Sequence, residues 1–162
     1  MKLAVIGTGY VGLVSGACFS EFGFDVTCID KNAGKIDSIK SGVIPMYEPG
    51  LEDLVARNVV AGRLHFTTEL GPAVADADSV FIAVGTPTRR GDGHADLTYV
   101  FDAAQELAGH LSGYTVVVTK STVPVGTGRK VETIIRDASP NADFDVASNP
   151  EFLREGAAIG DF

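Results

Sequence analysis

"VIGTGYVGLVSGACFSEFGFDVTCID", residues 5–30, allows two interpretations. An apolar run after Lys2, followed by the small residues 15–17, is typical of a secretory signal peptide with a cleavage site. The same stretch holds the spacing G-x-G-x-x-G between a strand-like and a helix-like run, the context in which that motif indicates a dinucleotide site. A cleaved leader has no use for this glycine spacing. We therefore expect residues 1–30 to be retained and to form half of the cofactor site.

The three glycines of the motif, Gly7, Gly9 and Gly12, have different expected roles. Gly7 allows the tight turn after the strand, Gly9 lets a pyrophosphate approach the backbone, and Gly12 lets the helix lie close to the strand. The backbone N–H groups from Tyr10 onward then face the phosphates. The alternative for the glycines alone is a tight turn without a ligand.

Asp30 argues against a tight turn without a ligand. It ends the second predicted strand, close to the offset of about 20 residues at which a carboxylate meets the adenosine ribose of NAD. Hydrogen bonds to a charged group contribute about 1.5–3 kcal/mol. A 2′-phosphate near the same carboxylate would be repelled by roughly 4 kcal/mol per charge pair at about 4 Å. NAD is therefore favoured over NADP, although the adjacent Lys31 could weaken that preference if it is not simply solvated.

Composition limits the class of protein. The chain has 162 residues, 45% of them hydrophobic, which fits one domain over residues 1–162. It has no apolar run of membrane-spanning length, and its formal charge of −8 argues against a nucleic-acid partner. Cys18 and Cys28 lack C-x-x-C spacing, so we expect buried thiols in a reducing cytoplasm.

Strand and helix patterns alternate along the chain. The predicted strands are 2–7, 25–30, 63–68, 79–85, 115–121 and 145–148, and the predicted helices are 10–22, 32–41, 50–61, 71–77, 96–111 and 126–138. This alternation predicts an α/β fold: a Rossmann-type, doubly wound parallel sheet of about six strands with helices on both faces.

Three later loops fall at the edge of the predicted sheet where ligands bind. They are "AVGTPT" (83–88), "KSTVPVGTG" (120–128) and "NPEFLREG" (149–156). Thr86, Ser121 and Thr122 offer hydroxyls there, whose ordinary role would be in turns and caps. Glu151 and Glu155 would share one face if their stretch is helical, and could hold ribose, orient substrate or activate water. Elsewhere in the chain a solvated face would be the preferred interpretation of these carboxylates.

Two further stretches have less specific patterns. The crossover 41–54, "SGVIPMYEPGLEDL", is longer than a linker needs and is either functional or a plain surface insertion. Asp92, His94 and Asp96 could suggest a metal, but Asp96 also fits the N-cap of the next helix. We therefore predict no metal site.

Five segments, in order, carry a family resemblance: "IGTGYVG", "YEPGL", "VGTPT", "KSTVPVGT" and "SNPEFLREG". Over essentially all 162 residues the chain resembles the N-terminal NAD-binding domain of the UDP-glucose/GDP-mannose dehydrogenase family. Tyr47 before "EPGL" is more similar to the UDP-glucose 6-dehydrogenase branch than to the GDP-mannose branch.

The resemblance implies a two-step, four-electron oxidation of the C6 alcohol of UDP-glucose to a carboxylate. It uses two NAD⁺ and passes through a cysteine thiohemiacetal and thioester. Family members continue through a linking helix into a second domain with the nucleophilic cysteine, whereas this chain ends at Phe162. Neither Cys18 nor Cys28 matches that cysteine. The resemblance thus implies a cofactor-binding fragment, inactive alone and homodimeric when full length.

Site residues follow from the motifs and the resemblance together. The predicted cofactor-binding residues are Gly7, Gly9, Tyr10, Val11, Gly12, Asp30, Lys35, Thr86, Ser121, Thr122 and Glu155. The resemblance places the sugar nucleotide along Glu151, Phe152, Leu153, Arg154 and Glu155, and gives Thr122 and Glu151 proton-transfer roles.

Three alternatives stay open. The first is a GDP-mannose or related nucleotide-sugar dehydrogenase, and the second is a stand-alone NAD-binding or redox-sensing module. The third is another Rossmann ligand, such as a flavin or S-adenosylmethionine, for which "KSTVPVGT" and "NPEFLREG" would have no use.

Overall fold

The computed structural model describes residues 1–89, 91 and 93–162. Within them, six parallel strands form one sheet in the order β3-β2-β1-β4-β5-β6. The strands are β1 (Lys2–Ile6), β2 (Asp25–Ile29), β3 (Leu64–Thr67), β4 (Ser79–Ile82), β5 (Thr115–Thr119) and β6 (Phe144–Ser148). The order reverses between β1 and β4, so a crevice forms at the carboxyl ends of these two strands.

Helices connect the strands, as the alternating pattern predicts. They are α1 (Tyr10–Glu21), α2 (Ala33–Lys40), α3 (Leu51–Val60), α4 (Leu70–Ala75), α5 (Thr98–Ala108), α6 (Thr127–Ala138) and α7 (Ala158–Asp161). Local side-chain and backbone chemistry determines where two of these helices begin. At α2 the Asn32 side chain accepts the Lys35 N–H, and at α3 the preceding Gly50 has a φ of 81°.

Two hydrophobic layers cover the sheet because side chains alternate along each strand. Leu3 and Val5 of β1 pack with α1, α2, α3 and α7 on one face. Ala4 and Ile6 pack with α4, α5 and α6 on the other. The predicted doubly wound sheet with helices on both faces is therefore confirmed.

The segment after β6 differs from one sequence-based expectation. Residues 151–154 have no regular secondary structure, residues 155–157 form a turn, and helix begins only at Ala158. The condition under which Glu151 and Glu155 would share a helical face is therefore not met. Tertiary hydrogen bonds decide this conformation: the Asn149 N–H donates to the Thr119 carbonyl, and Gly156 and Ala158 donate to Glu48.

Other differences are small. Strands β4 and β5 end at Ile82 and Thr119, two to three residues before their predicted ends, which leaves residues 83–85 and 120–121 in loops. Helix α5 begins at Thr98 with Leu97 as its N-cap, so the prediction of Asp96 as the N-cap is wrong by one residue. Asp96 Oδ1 accepts the Thr98 N–H from the position before the cap.

Two features that bear on function concern only the residues that the structure describes. None of the helices there is long and apolar enough to cross a membrane. That part of the chain also brings together no group of three potential metal ligands. Asp92, which the sequence analysis considered as a metal ligand with His94 and Asp96, lies outside the described residues.

Candidate functional site

The glycine turn after β1 is shaped by close backbone contacts. Gly7 has φ of +103°, and a Cβ there would lie 2.7 Å from the Ala83 carbonyl oxygen. A Cβ on Gly12 would lie 1.9 Å from the Gly7 carbonyl oxygen. These two glycines are therefore required by packing, in agreement with their expected roles in the turn and in the approach of the helix.

Gly9 is different, because a Cβ there would meet nothing within 4 Å. It is the N-cap residue of α1 and has no side chain to cap the helix. The N–H groups of Tyr10 and Val11 follow at the first turn, where unsatisfied helix donors attract anions. The open space beside Gly9 thus lies where a phosphate could approach the backbone.

A crevice of about 480 Å³ opens beside this turn. Its walls come from the tips of β1, β2 and β4 and from one side of α5, including Tyr99 and Asp102. The predicted residues that line it are Gly7, Gly9, Asp30 and Lys35. The geometry brings the glycine turn and the acid after β2 to a single cavity.

Asp30 is fixed by four hydrogen bonds. Oδ2 accepts the Thr8 N–H at 3.0 Å, the Thr8 hydroxyl at 2.7 Å and the Lys35 ammonium at 2.8 Å. Oδ1 accepts the Asn32 N–H at 3.0 Å. The Asp30 side chain keeps 14% of its surface exposed, on the crevice side, where it is one of the lining residues.

These bonds also set the charge of Asp30. Burial by itself opposes ionisation, but the hydrogen bonds from Lys35, Asn32 and Thr8 outweigh it and lower the pKa of Asp30 to about 2. Asp30 is therefore a carboxylate at neutral pH. Thr8 is fully buried and was missed by the sequence analysis, because it is one of the variable positions of the glycine motif.

Lys31 lies at the same tip and is mostly exposed, as expected of a solvated lysine. Its ammonium is also 2.6 Å from Glu106 Oε2 of α5, and both residues line the crevice. An exposed pair of this kind contributes little to stability.

The loops after β4 and β5 meet near the other end of the sheet edge. The Thr86 hydroxyl is 3.5 Å from the Thr122 carbonyl oxygen, and the Ser121 hydroxyl donates to the Val84 carbonyl at 2.7 Å. Thr86 and Thr122 are thus brought together, whereas the Ser121 hydroxyl holds one loop against the other. None of these three is among the residues lining the crevice that contains Asp30.

The segment with the two glutamates combines exposed and anchored side chains. Glu151 Oε2 accepts the Leu153 N–H, and Leu153 packs against the core layer that contains α1. Arg154 donates to both carboxylate oxygens of Asp161, at 2.6 and 2.9 Å. Phe152 is 86% exposed, and Glu155, the first residue of the turn, is exposed as well.

Glu48, from the "YEPGL" loop, is a buried carboxylate that the sequence analysis did not single out. Its oxygens accept the Tyr10 hydroxyl and the N–H groups of Gly156 and Ala158. These donors, the Tyr10 hydroxyl foremost, lower the pKa of Glu48 below its ordinary value. The sequence offered two signals, the unusual length of the loop and the presence of Glu48 in the family segment "YEPGL".

Lys120 is the second buried charged residue that sequence reasoning missed. Its ammonium donates to Asn149 Oδ1 at 2.9 Å and lies 5.2 Å from the centre of the Phe162 ring. Burial lowers the pKa of Lys120, and the nearby charge of Glu151 partly opposes that shift. Lys120 thus joins the tip of β5 to the segment after β6.

The two cysteines are buried and free, in agreement with the prediction of plain buried thiols. Burial raises the pKa of Cys18 to about 11 and that of Cys28 to about 12. Neither thiol has the lowered pKa that a nucleophilic cysteine needs.

Comparison with known proteins agrees with this geometry. Residues 1–162 match the family model of the UDP-glucose/GDP-mannose dehydrogenase family, NAD binding domain. The chain belongs to this family. The resemblance stated from five sequence segments is thereby confirmed, and NAD is the cofactor of this family's domain.

Individual relatives support the assignment to the UDP-glucose/GDP-mannose dehydrogenase family. The chain is 67% identical to a UDP-glucose 6-dehydrogenase of Rhizobium meliloti (strain 1021), covering 100% of this chain and 37% of the relative. It superimposes with a TM-score of 0.95 on a GDP-mannose dehydrogenase from Pseudomonas aeruginosa solved as a ternary complex, at 41% identity, covering 99% of this chain and 38% of that one. A UDP-glucose dehydrogenase from Pyrobaculum islandicum gives the same TM-score at 42% identity, covering 99% and 38%. The chain therefore spans little more than a third of these relatives.

Proposed function

We propose that residues 1–162 form one NAD-binding domain of a UDP-glucose 6-dehydrogenase. A linking helix and a second domain, supplied by the full-length protein, would complete the sugar-nucleotide site. The support is the 67% identity to a UDP-glucose 6-dehydrogenase, of which this chain covers 37%. We further propose that the enzyme is cytoplasmic and homodimeric, and that this chain alone is inactive, because both described cysteines are buried, unreactive thiols.

The proposed reaction converts the C6 alcohol of UDP-glucose to the carboxylate of UDP-glucuronate. Oxidation of the CH₂OH group with one water releases two hydrides and three protons. NAD⁺, when bound, supplies the hydride acceptor, and two equivalents are consumed. The task of this chain is to bind and orient NAD⁺ and the sugar nucleotide, and to accept protons at defined atoms.

The residues around the crevice fit the adenosine end of NAD. The gap beside Gly9 would admit a diphosphate, and the N–H groups of Tyr10 and Val11 lie at the helix terminus that would receive it. The Asp30 carboxylate faces the crevice and would accept hydrogen bonds from the ribose hydroxyls. Because Asp30 already accepts four bonds, we expect the Lys35 ammonium to leave Oδ2 and bind the ribose itself.

The remaining predicted residues would form the reacting end. We assign Thr86, Ser121, Thr122 and Glu155 to the nicotinamide half of the cofactor, since the loops that carry them lie at the same carboxyl edge of the sheet. Glu151 to Glu155, including Phe152, Leu153 and Arg154, would line the sugar nucleotide. Thr122 would assist the proton transfers. Glu151 Oε2 is occupied by the Leu153 N–H, so we assign acceptance of a proton from the attacking water to Oε1.

The structural observation that carries the proposed cofactor site is an ionised Asp30 that lines the same crevice as Gly9. The test is calorimetric titration of the full-length protein with NAD⁺. Asp30→Ala should weaken binding at least about tenfold, since a hydrogen bond to a charged group is lost. Asp37→Ala, at an exposed position of α2, is the matched control and should leave the affinity unchanged. Unchanged affinity in Asp30→Ala would refute the proposed cofactor site.

One observation favours a second substrate class. The Pseudomonas aeruginosa GDP-mannose dehydrogenase superimposes as well as the UDP-glucose dehydrogenase from Pyrobaculum islandicum, both with a TM-score of 0.95. The choice between the two sugars is tested by the rate of NADH formation with each sugar nucleotide. Turnover of GDP-mannose and not UDP-glucose would replace the proposed substrate.

A further inference from the structure

Glu48 lies at an unusual place for a charged residue. Its side chain comes from the long crossover between α2 and α3, yet only 5% of the residue is exposed. Oε2 accepts the Tyr10 hydroxyl at 2.6 Å and the Gly156 N–H at 2.7 Å, and Oε1 accepts the Ala158 N–H at 2.9 Å. Both carboxylate oxygens are therefore engaged with donors that come from two distant parts of the chain.

These partners make the pocket specific for a carboxylate. Burying a charge is costly unless donors compensate it. Here a hydroxyl and two backbone N–H groups converge on the two oxygens, as in a small anion site filled by the protein itself. A glutamine side chain has nearly the same shape but would turn an NH₂ group toward at least one of these donors.

The hydrogen bonds of Glu48 connect the two proposed parts of the site, the glycine turn before α1 and the segment that contains Glu155. Tyr10 is the first residue of α1 and follows Gly9 directly. Gly156 follows Glu155 directly, and the Tyr10 hydroxyl is also 3.3 Å from the Arg154 carbonyl oxygen. Burial, the bond to Glu48 and the charges of Glu48 and Glu155 together raise the pKa of Tyr10. Glu48 thus spans the phosphate-binding turn and the end of the proposed sugar-nucleotide segment.

We propose that Glu48 is a positioning residue that holds Glu155 in place against the cofactor-binding turn of α1. The inference rests on the proposed function, since it assumes that Glu155 contacts the cofactor. Glu48 does not touch the cofactor itself; it acts through Tyr10 and the backbone N–H groups of Gly156 and Ala158. The "YEPGL" loop is then part of the site because it supplies this carboxylate.

A double-mutant cycle on NAD⁺ affinity separates positioning from general stability. The variants Glu48→Gln, Glu155→Gln and the double variant are made in the full-length protein, and the dissociation constant is measured by calorimetry. We expect each single variant to weaken NAD⁺ binding about tenfold. The double variant should also be weakened about tenfold, because Glu155 is already displaced when Glu48 is lost.

Other outcomes have distinct meanings. A hundredfold loss in the double variant would show independent effects and overturn the inference, as would unchanged affinity in Glu48→Gln. Unchanged affinity in Glu155→Gln would also overturn it, while Asp30→Ala still reports on the proposed function separately. Glu52→Gln, an exposed carboxylate in the first turn of α3, is the control and should not alter the effect of Glu155→Gln.

A second variant covers the case in which Glu48→Gln does not fold. Tyr10→Phe keeps the ring and removes one donor from the network. We expect about a threefold loss of NAD⁺ affinity, again less than additive with Glu155→Gln. Amide hydrogen exchange gives an independent readout: the segment containing Gly156 and Ala158 should exchange faster in Tyr10→Phe without NAD⁺. Unchanged exchange together with additive affinities would overturn the inference.

Discussion

The Thr8 hydroxyl lies 2.7 Å from Asp30 Oδ2, and the Thr8 N–H reaches the same oxygen at 3.0 Å. The parallel register aligns Ile6 of β1 with Ile29 of β2, so the residues that follow the two strands are neighbours. The glycine turn therefore holds the acid that we propose binds the cofactor ribose. The two parts of the dinucleotide motif, separated in sequence, form one hydrogen-bonded unit.

Thr8→Val removes the hydroxyl and keeps the shape of a fully buried side chain. We expect a loss of about 1.5–3 kcal/mol in the free energy of unfolding, because a hydrogen bond to a charged group is lost inside the fold. Urea denaturation near neutral pH measures it. Thr133→Val, at an exposed position of α6, is the control and should change stability by less than about 0.5 kcal/mol. Equal losses in both would contradict the role of Thr8.

Asp30 should make the free energy of unfolding decrease as the pH falls. Its pKa is lowered from 3.8 to about 2 in the folded protein, so its contribution is present above the unfolded value and is lost as the pH falls through the folded one. That contribution is roughly 2 kcal/mol near neutral pH and about half as much near pH 3. Denaturation of the native chain and Asp30→Asn at the two pH values checks this. A stability difference between them that does not shrink on acidification would refute the assignment.

Gly12→Ala should impair folding, whereas Gly9→Ala should impair NAD⁺ binding. The Cβ of Gly12→Ala would lie 1.9 Å from the Gly7 carbonyl oxygen, so the helix must move away from the turn. We expect a loss of about 3 kcal/mol or more. Gly9→Ala has free space and a φ of −71°, so it should fold normally but bind NAD⁺ poorly. Thermal melts and NAD⁺ titrations measure both; a stable Gly12→Ala, or unimpaired NAD⁺ binding by Gly9→Ala, would contradict this account.

Lys120 should affect stability in alkaline solution. Burial lowers its folded pKa below the ordinary 10.5, so the folded state binds its proton less well than the unfolded state. The stability of the native chain relative to Lys120→Met should therefore rise as the pH increases between the lowered value and 10.5. Paired urea denaturation curves measure this difference. A difference that falls with pH would show that Lys120 is held more tightly as a cation in the folded state.

Much of the fold, and the placing of the glycine turn beside Asp30, could be predicted because they depend on short-range patterns. Strand and helix periods gave all six strands in the right places, since each period reflects which side of an element is buried. The steric roles of Gly7 and Gly12 followed from the sequence because a turn between a strand and a helix needs little backbone bulk, whereas the phosphate role of Gly9 stays a prediction. Asp30 followed from its position after the next strand.

The segment 149–157 could not be predicted in the same way. Its two glutamates at a spacing of four allowed a helix, but Glu151 binds the Leu153 N–H and the backbone beyond is held by Glu48. Glu48 and Gly156 are 108 residues apart in the sequence. Local propensity carries no information about a contact at that separation. The hydrogen bond from Lys120 to Asn149 could not be predicted for the same reason.

The sequence by itself determined the doubly wound sheet, the glycine turn and the acid at the tip of β2, because hydrophobic periodicity and steric freedom are local properties of the chain. The tertiary structure alone decided which groups meet those residues: Thr8 and Lys35 on Asp30, and Tyr10 with two backbone N–H groups on Glu48. A buried charge needs donors from whichever elements surround it, and only the packing of those elements brings such donors within hydrogen-bonding distance.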